Sequence, residues 1–404
     1  MSTETAAPAV SAAKASARDA IRENLREYGL VIALIAIMIF FQFTTNGVLF
    51  RPVNLTNLIL QNSYIIVMAL GMLLVIVAGH IDLSVGSVAG FIGAAAAVLM
   101  VDFGINPLVA GLMCIALGAV IGGAQGYFIA YMKIPSFIVT LAGMLVFKGL
   151  SLWLLGGRSV GPFSTEFQML SAGFIPDVIG PWTIAGVKLH ATTLVIGALI
   201  VALMLWSALR SRATRESHGY DAEPYGFFVA KNVVLSLIIL FLIYMLASYR
   251  GLPNVLIVMG VLIAAFVFLT KRMTFGRRIY AMGGNVKAAS LSGINTERLT
   301  FYIFAIMGAL AGLAGLIFAA RLNMATPKAG AGMELDVIAA VFIGGASAMG
   351  GIGQVTGAVI GAFIMGVMNN GMSIMGINID WQQVIKGLVL LGAVAFDLYN
   401  KKKA

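Results

Sequence analysis

Residues 58–78 read LILQNSYIIVMALGMLLVIVA and contain no charged side chain. A helix needs about 20 mainly apolar residues to cross the roughly 30 Å hydrocarbon core of a bilayer. Because the apolar residues are continuous and do not alternate with polar ones, this run predicts a membrane-spanning helix rather than a strand of a membrane barrel.

The same pattern recurs along the chain and predicts an all-α polytopic membrane protein with about twelve transmembrane helices. Of the 404 residues, 60% are hydrophobic and 10% are charged, whereas soluble domains are about 45–50% apolar and about 25% charged. This composition excludes a soluble enzyme, a secreted disulfide scaffold and a disordered chain. The predicted spans are residues 28–45, 58–78, 83–101, 107–131, 135–155, 190–209, 228–248, 253–270, 299–320, 336–348, 353–372 and 382–398.

The basic residues predict how the chain is oriented in the membrane. With a cytoplasmic N-terminus, 18 of the 26 Lys and Arg residues lie in cytoplasmic segments, six lie outside, and two lie near or within helices. Cytoplasmic loops are enriched in Lys and Arg, so we expect both termini to be cytoplasmic. Because the charges occupy short loops, the net charge of +10 does not indicate a nucleic-acid partner.

The two ends of the chain are expected to lie on the cytoplasmic face. Residues 1–27 are polar and Ala-rich, unlike a signal peptide. Ile21, Leu25 and Tyr28 recur at helical spacing beside a row of arginines, which predicts a short amphipathic helix on the membrane surface. A frayed polar tail is the alternative for the residues before Ala15. Residues 399–404 form a basic tail.

An internal repeat is indicated by three anchors that occur in the same order in both halves of the chain. The anchors are Ile81-Asp82-Leu83, Gly118–Gly122 and Phe147–Leu150, matched by Leu335-Asp336-Val337, Gly357–Gly361 and Ile385–Leu388. Under the predicted topology the two aspartates open helices that run in opposite directions, so the repeats are inverted, as in many transporters. A chance match of Gly/Ala-rich helices is the alternative.

The second repeat is shorter than the first. Asp82 and Gly118 are 36 positions apart, whereas Asp336 and Gly357 are 21 apart, a deficit of 15. This deficit predicts a broken half-helix at 344–353. We divide the transmembrane domain, 28–398, into repeat one (28–155), a periplasmic loop (156–189), two inserted helices (190–248) and repeat two (253–398).

Uncharged polar residues within the spans are the candidates for a substrate pathway. They offer both hydrogen-bond donors and acceptors and favour a polyol over an ion, although each one alone could instead form an interhelical hydrogen bond. Asp82 and Asp336 either cap the helices that follow them or line the pathway. Lys148 is expected to snorkel or pair. The predicted pathway residues are Asn57, Gln61, Asn62, Asp82, Ser84, Gln125, Asp336, Asn369 and Asn370.

The sequence predicts no catalytic residue, no metal site and no bound cofactor. Cys114 is the single cysteine and the three histidines are scattered, so neither a disulfide nor a Cys/His metal site is expected. Glycines spaced by three or four residues, such as Gly118, Gly122 and Gly126, predict close helix packing. A Walker A loop requires Gly-Lys-Ser/Thr, and no lysine here precedes Ser or Thr, so we expect this chain not to hydrolyse nucleotide.

The longest cytoplasmic loop, residues 271–298, predicts a docking element. It carries basic residues, glycine breaks and a short helical stretch that begins at Asn285, a capping residue type. An ordinary loop would need only the charges. We therefore predict that this loop docks on a partner.

Four stretches together resemble the membrane permeases of bacterial monosaccharide ABC importers of the ribose and xylose type. They are the loop 271–298, Ile81–Gly86, Pro135–Gly143 and Glu334–Gly345, and the similarity runs from about residue 30 to 400. The chain looks closest to the D-xylose or multiple-sugar branch, because that branch also carries the extra helix pair.

The resemblance implies a homodimeric, multi-pass permease in the bacterial inner membrane. A separate ATP-binding cassette ATPase would bind ATP and Mg, and a periplasmic sugar-binding protein would deliver the solute. The coupling residues would be Gly284, Asn285, Ala288, Ala289 and Gly293. Two alternatives stay open, namely a branched-chain amino acid ABC permease and a secondary transporter that needs no ATPase. A structural membrane scaffold fits the repeat and its polar residues less well.

Overall fold

The computed structural model describes residues 17–184, 186–219 and 224–402, and within them the chain is almost entirely helical. The helices are α1 (Ala17–Thr44), α2 (Pro52–Val77), α3 (Val85–Ala97), α4 (Pro107–Ala130), α5 (Ser136–Leu154), α6 (Thr165–Gln168), α7 (Ala191–Ser217), α8 (Tyr225–Ala247), α9 (Asn254–Lys271), α10 (Thr274–Gly284), α11 (Val286–Leu291), α12 (Thr296–Leu322), α13 (Met333–Ile343), α14 (Val355–Ile374) and α15 (Ile379–Lys402).

Each predicted span coincides with a helix, and the protein is a multi-pass membrane protein. Among the described residues, nine helices are long and apolar enough to cross a membrane, if α3 is counted together with the π-helical turn Val98–Asp102 that continues it. The other three predicted spans correspond to α1, α13 and α15. The predicted periplasmic loop contains the short α6 and one two-stranded hairpin, Trp182–Ile184 with Val187–Leu189, which was not predicted.

The helix ends follow from local chemistry. Pro107 opens α4, and the Asn106 side chain accepts a 2.9 Å hydrogen bond from the backbone N–H of Leu108. Asn295 caps α12 in the same way through the N–H of Arg298, at 2.8 Å. α13 ends at Ile343, five residues before the predicted end, because Gly344-Gly345 follows and Gly345 has φ +85°.

The N-terminal segment and the first predicted span belong to one helix. The helix runs without a break from Ala17 to Thr44, so no helix boundary separates the predicted surface segment from the first span. Residues 1–16, the side chains up to Tyr28 and those of the basic tail lie outside the described residues, and the amphipathic face therefore stays a prediction.

The contacts between neighbouring helices fix their directions. α2 runs antiparallel to both α12 and α14, α14 runs antiparallel to α13, and α3 runs parallel to α12. α3 and α13 therefore point in opposite directions, as inverted repeats require. The contacts that establish these directions are Asn54–Asn370, Leu73–Gly353, Gly71–Met307, Tyr64–Phe318, Gly344–Gly357, Ala340–Gly361, Ala89–Gly315 and Ala319–Gly93.

The N-termini of α3 and α13 meet inside the bundle. A Cβ at Gly86 would overlap the carbonyl of Gly330 and the carboxylate of Glu334, and a Cβ at Gly90 would overlap the carbonyl of Ala329. The chain before α13 therefore lies against the first turns of α3. α13 has 11 residues and is followed by the irregular stretch 344–354, so the half-helix of the second repeat lies at Met333–Ile343, ahead of the predicted stretch 344–353.

Glycines permit the closest helix contacts. Gly118 and Gly122 of α4 lie against the backbone of α12 at Gly308, where any Cβ would overlap main-chain atoms. Their repeat counterparts, Gly357 and Gly361, lie against α13 instead. The close-packing interpretation is confirmed, but the two matching motifs contact non-equivalent helices.

Candidate functional site

A cavity of about 830 Å³ opens at one end of the bundle and collects several predicted pathway residues. Its walls come from α2, the end of α12, the start of α13, the end of α14 and the first half of α15. Ligand cavities in proteins have volumes of about 300–1,000 Å³. The polar and aromatic lining residues are Gln61, Asn62, Tyr64, Phe318, Arg321, Asp336, Asn369, Ser373, Gln382, Gln383 and Lys386.

One ion pair spans the cavity wall between α13 and α15. The Nζ of Lys386 lies 3.0 Å from each carboxylate oxygen of Asp336, and Asn369 donates a 3.1 Å hydrogen bond to the same carboxylate. Asp336 is the fourth residue of α13 and forms no capping hydrogen bond, and Gly332 occupies the cap position. The capping interpretation of Asp336 is therefore wrong, because its carboxylate points to α14 and α15.

Two side-chain amide atoms in this wall lack a hydrogen-bond partner in the described part of the chain. The Nδ2 of Asn62 and the Oδ1 of Asn369 are buried and make no hydrogen bond within the described part of the chain. Asn62 lies against Gly366, where a Cβ would overlap the amide. Buried polar groups are normally hydrogen-bonded. This pair therefore offers one donor and one acceptor to a ligand.

An aromatic pair forms another part of the cavity wall. The rings of Tyr64 and Phe318 meet edge to face with centroids 5.0 Å apart. Arg321, in the last turn of α12, lies beside them. Tyr64, Phe318 and Arg321 were not predicted as pathway residues, since nothing in their local spacing distinguishes them from core residues.

Asp82, Ser84 and Gln125 form a separate, closed network. The carboxylate of Asp82 accepts hydrogen bonds from the backbone N–H and the hydroxyl of Ser84, at 2.8 and 2.7 Å. Gln125 of α4 donates to the Ser84 hydroxyl at 2.9 Å. All three residues are buried and none lines the cavity. Asp82 thus binds the N–H just ahead of α3, which agrees with its capping interpretation.

Two of the motifs that carried the resemblance contact each other at this network. Ser136 accepts a hydrogen bond from the N–H of Ile81 at 3.3 Å, and the hydroxyl of Thr140 lies 3.4 Å from the Ile81 carbonyl. Gly143 lies directly against the amide of Gln125. The start of α5 therefore fixes the chain that leads into α3.

Two predicted pathway residues lie elsewhere. Asn370 exchanges side-chain hydrogen bonds of 2.9 and 3.1 Å with Asn54, so it joins α14 to α2. Asn57 is exposed on α2 and does not line the cavity. Lys148 is exposed on α5 and does not line the cavity.

The predicted coupling loop lies at the opposite end of the bundle from the cavity and folds into α10 and α11. The hydroxyl of Tyr280 donates a 2.8 Å hydrogen bond to the carbonyl of Gly353. Gly283 lies against Val77 at the end of α2 and against Gly351, whose N–H donates to the Val77 carbonyl at 2.8 Å. α10 is therefore joined to the stretch 344–354 that follows α13.

The five predicted coupling residues occupy different positions in this element. Asn285 caps α11 by accepting the N–H of Ala288 at 3.0 Å. Gly284, Ala288 and Gly293 are exposed, and Gly293 has φ +82°, whereas Ala289 is buried and anchors α11. Sequence reasoning missed Tyr280, Gly283 and Leu291. The Leu291 side chain is 90% exposed, which gives the tip of the loop an apolar contact surface.

Within residues 17–184, 186–219 and 224–402, no group of three or more His, Cys, Asp or Glu side chains is placed to hold a metal ion.

Comparison with known proteins adds independent information. A family model described as "Branched-chain amino acid transport system / permease component" matches residues 54–213 and 178–394. The xylose transport system permease protein of Escherichia coli K12 is 40% identical over 382 residues, which cover 94% of each chain. That of Haemophilus influenzae is 41% identical over 380 residues, covering 94% of this chain and 98% of the relative.

A ribose permease is also similar. The ribose import permease protein of Escherichia coli K12 is 32% identical over 379 residues, covering 94% of this chain and 95% of the relative. No solved structure matches the chain.

Proposed function

Because this chain belongs to the branched-chain amino acid transport system / permease component family and is a sugar ABC permease within it, we propose that it forms the inner-membrane pathway for xylose or a related monosaccharide. A periplasmic binding protein delivers the sugar to the cavity, and an ATP-binding cassette ATPase with its own ATP and Mg drives the transfer. The chain itself is a non-enzymatic transport subunit.

The chemistry of the cavity carries the proposal of an uncharged sugar. The hydroxyl groups of a monosaccharide both donate and accept hydrogen bonds. The Nδ2 of Asn62 is a buried donor and the Oδ1 of Asn369 is a buried acceptor, and neither has a partner in the described part of the chain. The aromatic pair adds an apolar surface for the C–H face of a sugar ring. The carboxylate in the cavity wall, that of Asp336, is already paired with Lys386, so a cationic solute would find no uncompensated carboxylate among the lining residues.

Gln61, Asn62, Asp336 and Asn369 are the pathway residues supported by this geometry. They line one cavity, whereas Asp82, Ser84 and Gln125 support the start of α3 from within the bundle. We assign the latter three a positioning role along the path, and Asn370 and Asn57 take no part in sugar contact.

The coupling role of residues 271–298 is supported by the contacts of α10. A partner that displaces α10 would also move the stretch 344–354. The hydrogen bond from Tyr280 links α10 to Gly353, and the close packing of Gly283 links it to Gly351. The stretch 344–354 connects directly to α13, which carries Asp336 into the cavity wall. The exposed Leu291, Ala288 and Gly293 then face the ATPase, and a second copy of this chain completes the importer.

Reconstitution tests this proposal directly. The permease is placed in liposomes with its ATPase and binding protein, and uptake of labelled xylose is measured with internal ATP, without ATP, and with an ion gradient alone. We expect uptake only with ATP. Accumulation driven by an ion gradient without the ATPase would replace the proposal with a secondary transporter.

Competition in the same liposomes tests the substrate class. Unlabelled xylose should reduce the uptake of label, whereas leucine should leave it unchanged. If leucine competes and sugars do not, the branched-chain amino acid alternative is correct.

A further inference from the structure

The predicted periplasmic loop carries apolar side chains that the helix bundle leaves uncovered. Val178, Ile179, Trp182 and Val187 lie within residues 178–187, and all four are exposed, Val178 to 82% and Trp182 to 47%. We call these four residues the outer patch. A group of exposed apolar side chains marks a surface that contacts a partner or a membrane.

The pairing of the two strands sorts the side chains of the hairpin onto two faces. Trp182 pairs with Leu189, and Thr183 pairs with Lys188. Directly paired residues of antiparallel strands point to the same face, and successive residues of a strand point to opposite faces. Trp182, Val187 and Leu189 therefore share one face, and Thr183 and Lys188 share the other. The hairpin has an apolar face and a polar, charged face.

The outer patch is held against the first turn of α7. The carboxylate of Asp177 accepts hydrogen bonds from the backbone N–H groups of Ala191 and Thr192, at 3.1 and 3.0 Å. The hydroxyl of Thr192 accepts hydrogen bonds from the N–H groups of Val178 and Ile179, at 2.9 and 3.3 Å. The depth of the patch in a membrane is therefore set by the depth at which α7 begins.

The start of α7 lies at the edge of the hydrocarbon core. In their apolar stretches α7 and α8 have only 17% and 11% of their residues buried within the chain, so their outer faces are available to lipid. Leu189 is two residues ahead of Ala191, the first residue of α7, which is at most about 7 Å of extended chain. The interfacial layer of a bilayer is about 5–8 Å thick on each side. The hairpin therefore begins within this layer.

The structure favours lipid over a protein as the occupant of the outer patch. None of the four patch residues lines the cavity that the binding protein must reach. An interfacial layer has an apolar side and a water side, and a hairpin with one apolar and one charged face matches both. Trp is enriched at this depth because its ring is apolar and its N–H can bind water or lipid headgroups.

We propose that the hairpin formed by Trp182–Ile184 and Val187–Leu189 lies in the outer interfacial layer of the membrane. Trp182 and Val187 contact lipid, and Thr183 and Lys188 face water. Part of the predicted periplasmic loop is thus a membrane anchor that fixes the depth of the inserted helix α7. This inference does not depend on which solute the permease carries.

Tryptophan fluorescence tests the position of the hairpin. Trp153→Phe/Trp206→Phe/Trp381→Phe leaves Trp182 as the only tryptophan, and the three replaced side chains are exposed and outside the core. The purified permease is placed in phosphatidylcholine liposomes without any binding protein. An interfacial side chain lies about 5–10 Å into the boundary between headgroups and acyl chains. Lipid brominated near the glycerol end of its acyl chains should therefore lower the emission of Trp182 at least about twofold, and iodide in solution should lower it only weakly.

A matched control moves the indole to the other face of the same strand. In the same background, Trp182→Phe/Thr183→Trp should be quenched by iodide and not by brominated lipid. Quenching of Trp182 by iodide but not by brominated lipid would overturn the proposal, since the patch would then face water until a partner arrives. Protection of Trp182 from both quenchers would also overturn it, because a second copy of the chain would then cover the patch.

Cysteine reactivity provides a second measurement on the other strand. In a Cys114→Ala background that keeps all four tryptophans, Lys188→Cys should react with a water-soluble maleimide several-fold faster than Val187→Cys in liposomes. Both native side chains are exposed within the chain, so only a membrane or a partner can make the two positions differ. Equal reactivity of the two cysteines would contradict a hairpin with one face in lipid.

Discussion

Asn369 and Asn370 are neighbours in sequence, yet they have different roles. Successive residues of a helix point about 100° apart, so Asn369 faces the cavity and Asp336 while Asn370 faces Asn54 of α2. The sequence could show that amides lie within the spans, but not which of them share a cavity, because helix rotation depends on tertiary packing. The error at Asp336 has the same cause, since its partner Lys386 lies 50 residues away.

Replacing Asn62 with leucine should impair sugar transport. Asn62→Leu keeps the size of the side chain but removes a buried donor, and a lost hydrogen bond of this kind costs about 1–3 kcal/mol. We expect xylose uptake to fall about tenfold at equal membrane levels. Asn57→Leu, on the same helix but outside the cavity, should stay within twofold. Equal losses of xylose uptake in both variants would contradict the assignment of the cavity as the sugar pathway.

Removing Lys386 should destabilise the protein more than removing the whole ion pair. Lys386→Gln leaves the buried Asp336 carboxylate without its cation, which typically costs about 3–5 kcal/mol. Asp336→Asn/Lys386→Gln should recover most of this loss. Thermal unfolding of the detergent-purified variants measures both effects. A double variant as unstable as Lys386→Gln would show that the pair does not act as a buried unit.

At the scale of helices, the distribution of apolar residues along the chain predicts most of the helices. A helix lies at each predicted apolar run, and the missing residues of the second repeat predicted a half-helix there, although at 344–353 rather than at α13. Its end was misplaced because the sequence could not show whether Gly344-Gly345 would continue a helix, whereas Gly345 adopts a left-handed conformation. The hairpin at 182–189 and the unbroken α1 were not predicted, because neither is marked by the apolar runs that indicate membrane spans.

The contact between α4 and α12 should not tolerate a side chain at Gly122. A Cβ there overlaps the carbonyl of Phe304 and the backbone of Gly308. Gly122→Leu should therefore greatly reduce the yield of monodisperse protein on size-exclusion chromatography. Gly260→Leu on α9 is the control, because no atom lies within 4 Å of its Cβ position. Normal yield of Gly122→Leu would show that the two helices are not closely packed there.

The junction between α10 and α2 should be needed for coupling. Gly283→Ala forces α10 away from Val77 and Gly351, whereas the Cβ of Gly284→Ala meets no atom within 4 Å. In liposomes with the ATPase, we expect Gly283→Ala to hydrolyse ATP with at least about fivefold less xylose taken up per ATP, an effect of about 1 kcal/mol on coupling. Gly284→Ala should behave like the original chain. Normal coupling in Gly283→Ala would show that α10 does not transmit movement from the ATPase to the rest of the permease.

For the whole molecule, one short helix links the cavity at one end of the bundle to the proposed coupling loop at the other end. α13 carries Asp336 in the cavity wall and continues into the stretch that α10 contacts. The sequence predicted the repeat and the docking loop, because both leave local patterns. It could not show that α3 and α13 meet at their N-termini, since that contact depends on how the two halves fold together.

Cysteine labelling tests the placement of these two ends most directly. In a Cys114→Ala background, Ser373→Cys lies in the cavity and Lys287→Cys lies in the coupling loop, and both native residues are exposed. An impermeant maleimide added to right-side-out membrane vesicles should label Ser373→Cys and should reach Lys287→Cys only after permeabilisation. Labelling of both cysteines from the same side would contradict a cavity and a coupling loop at opposite membrane faces.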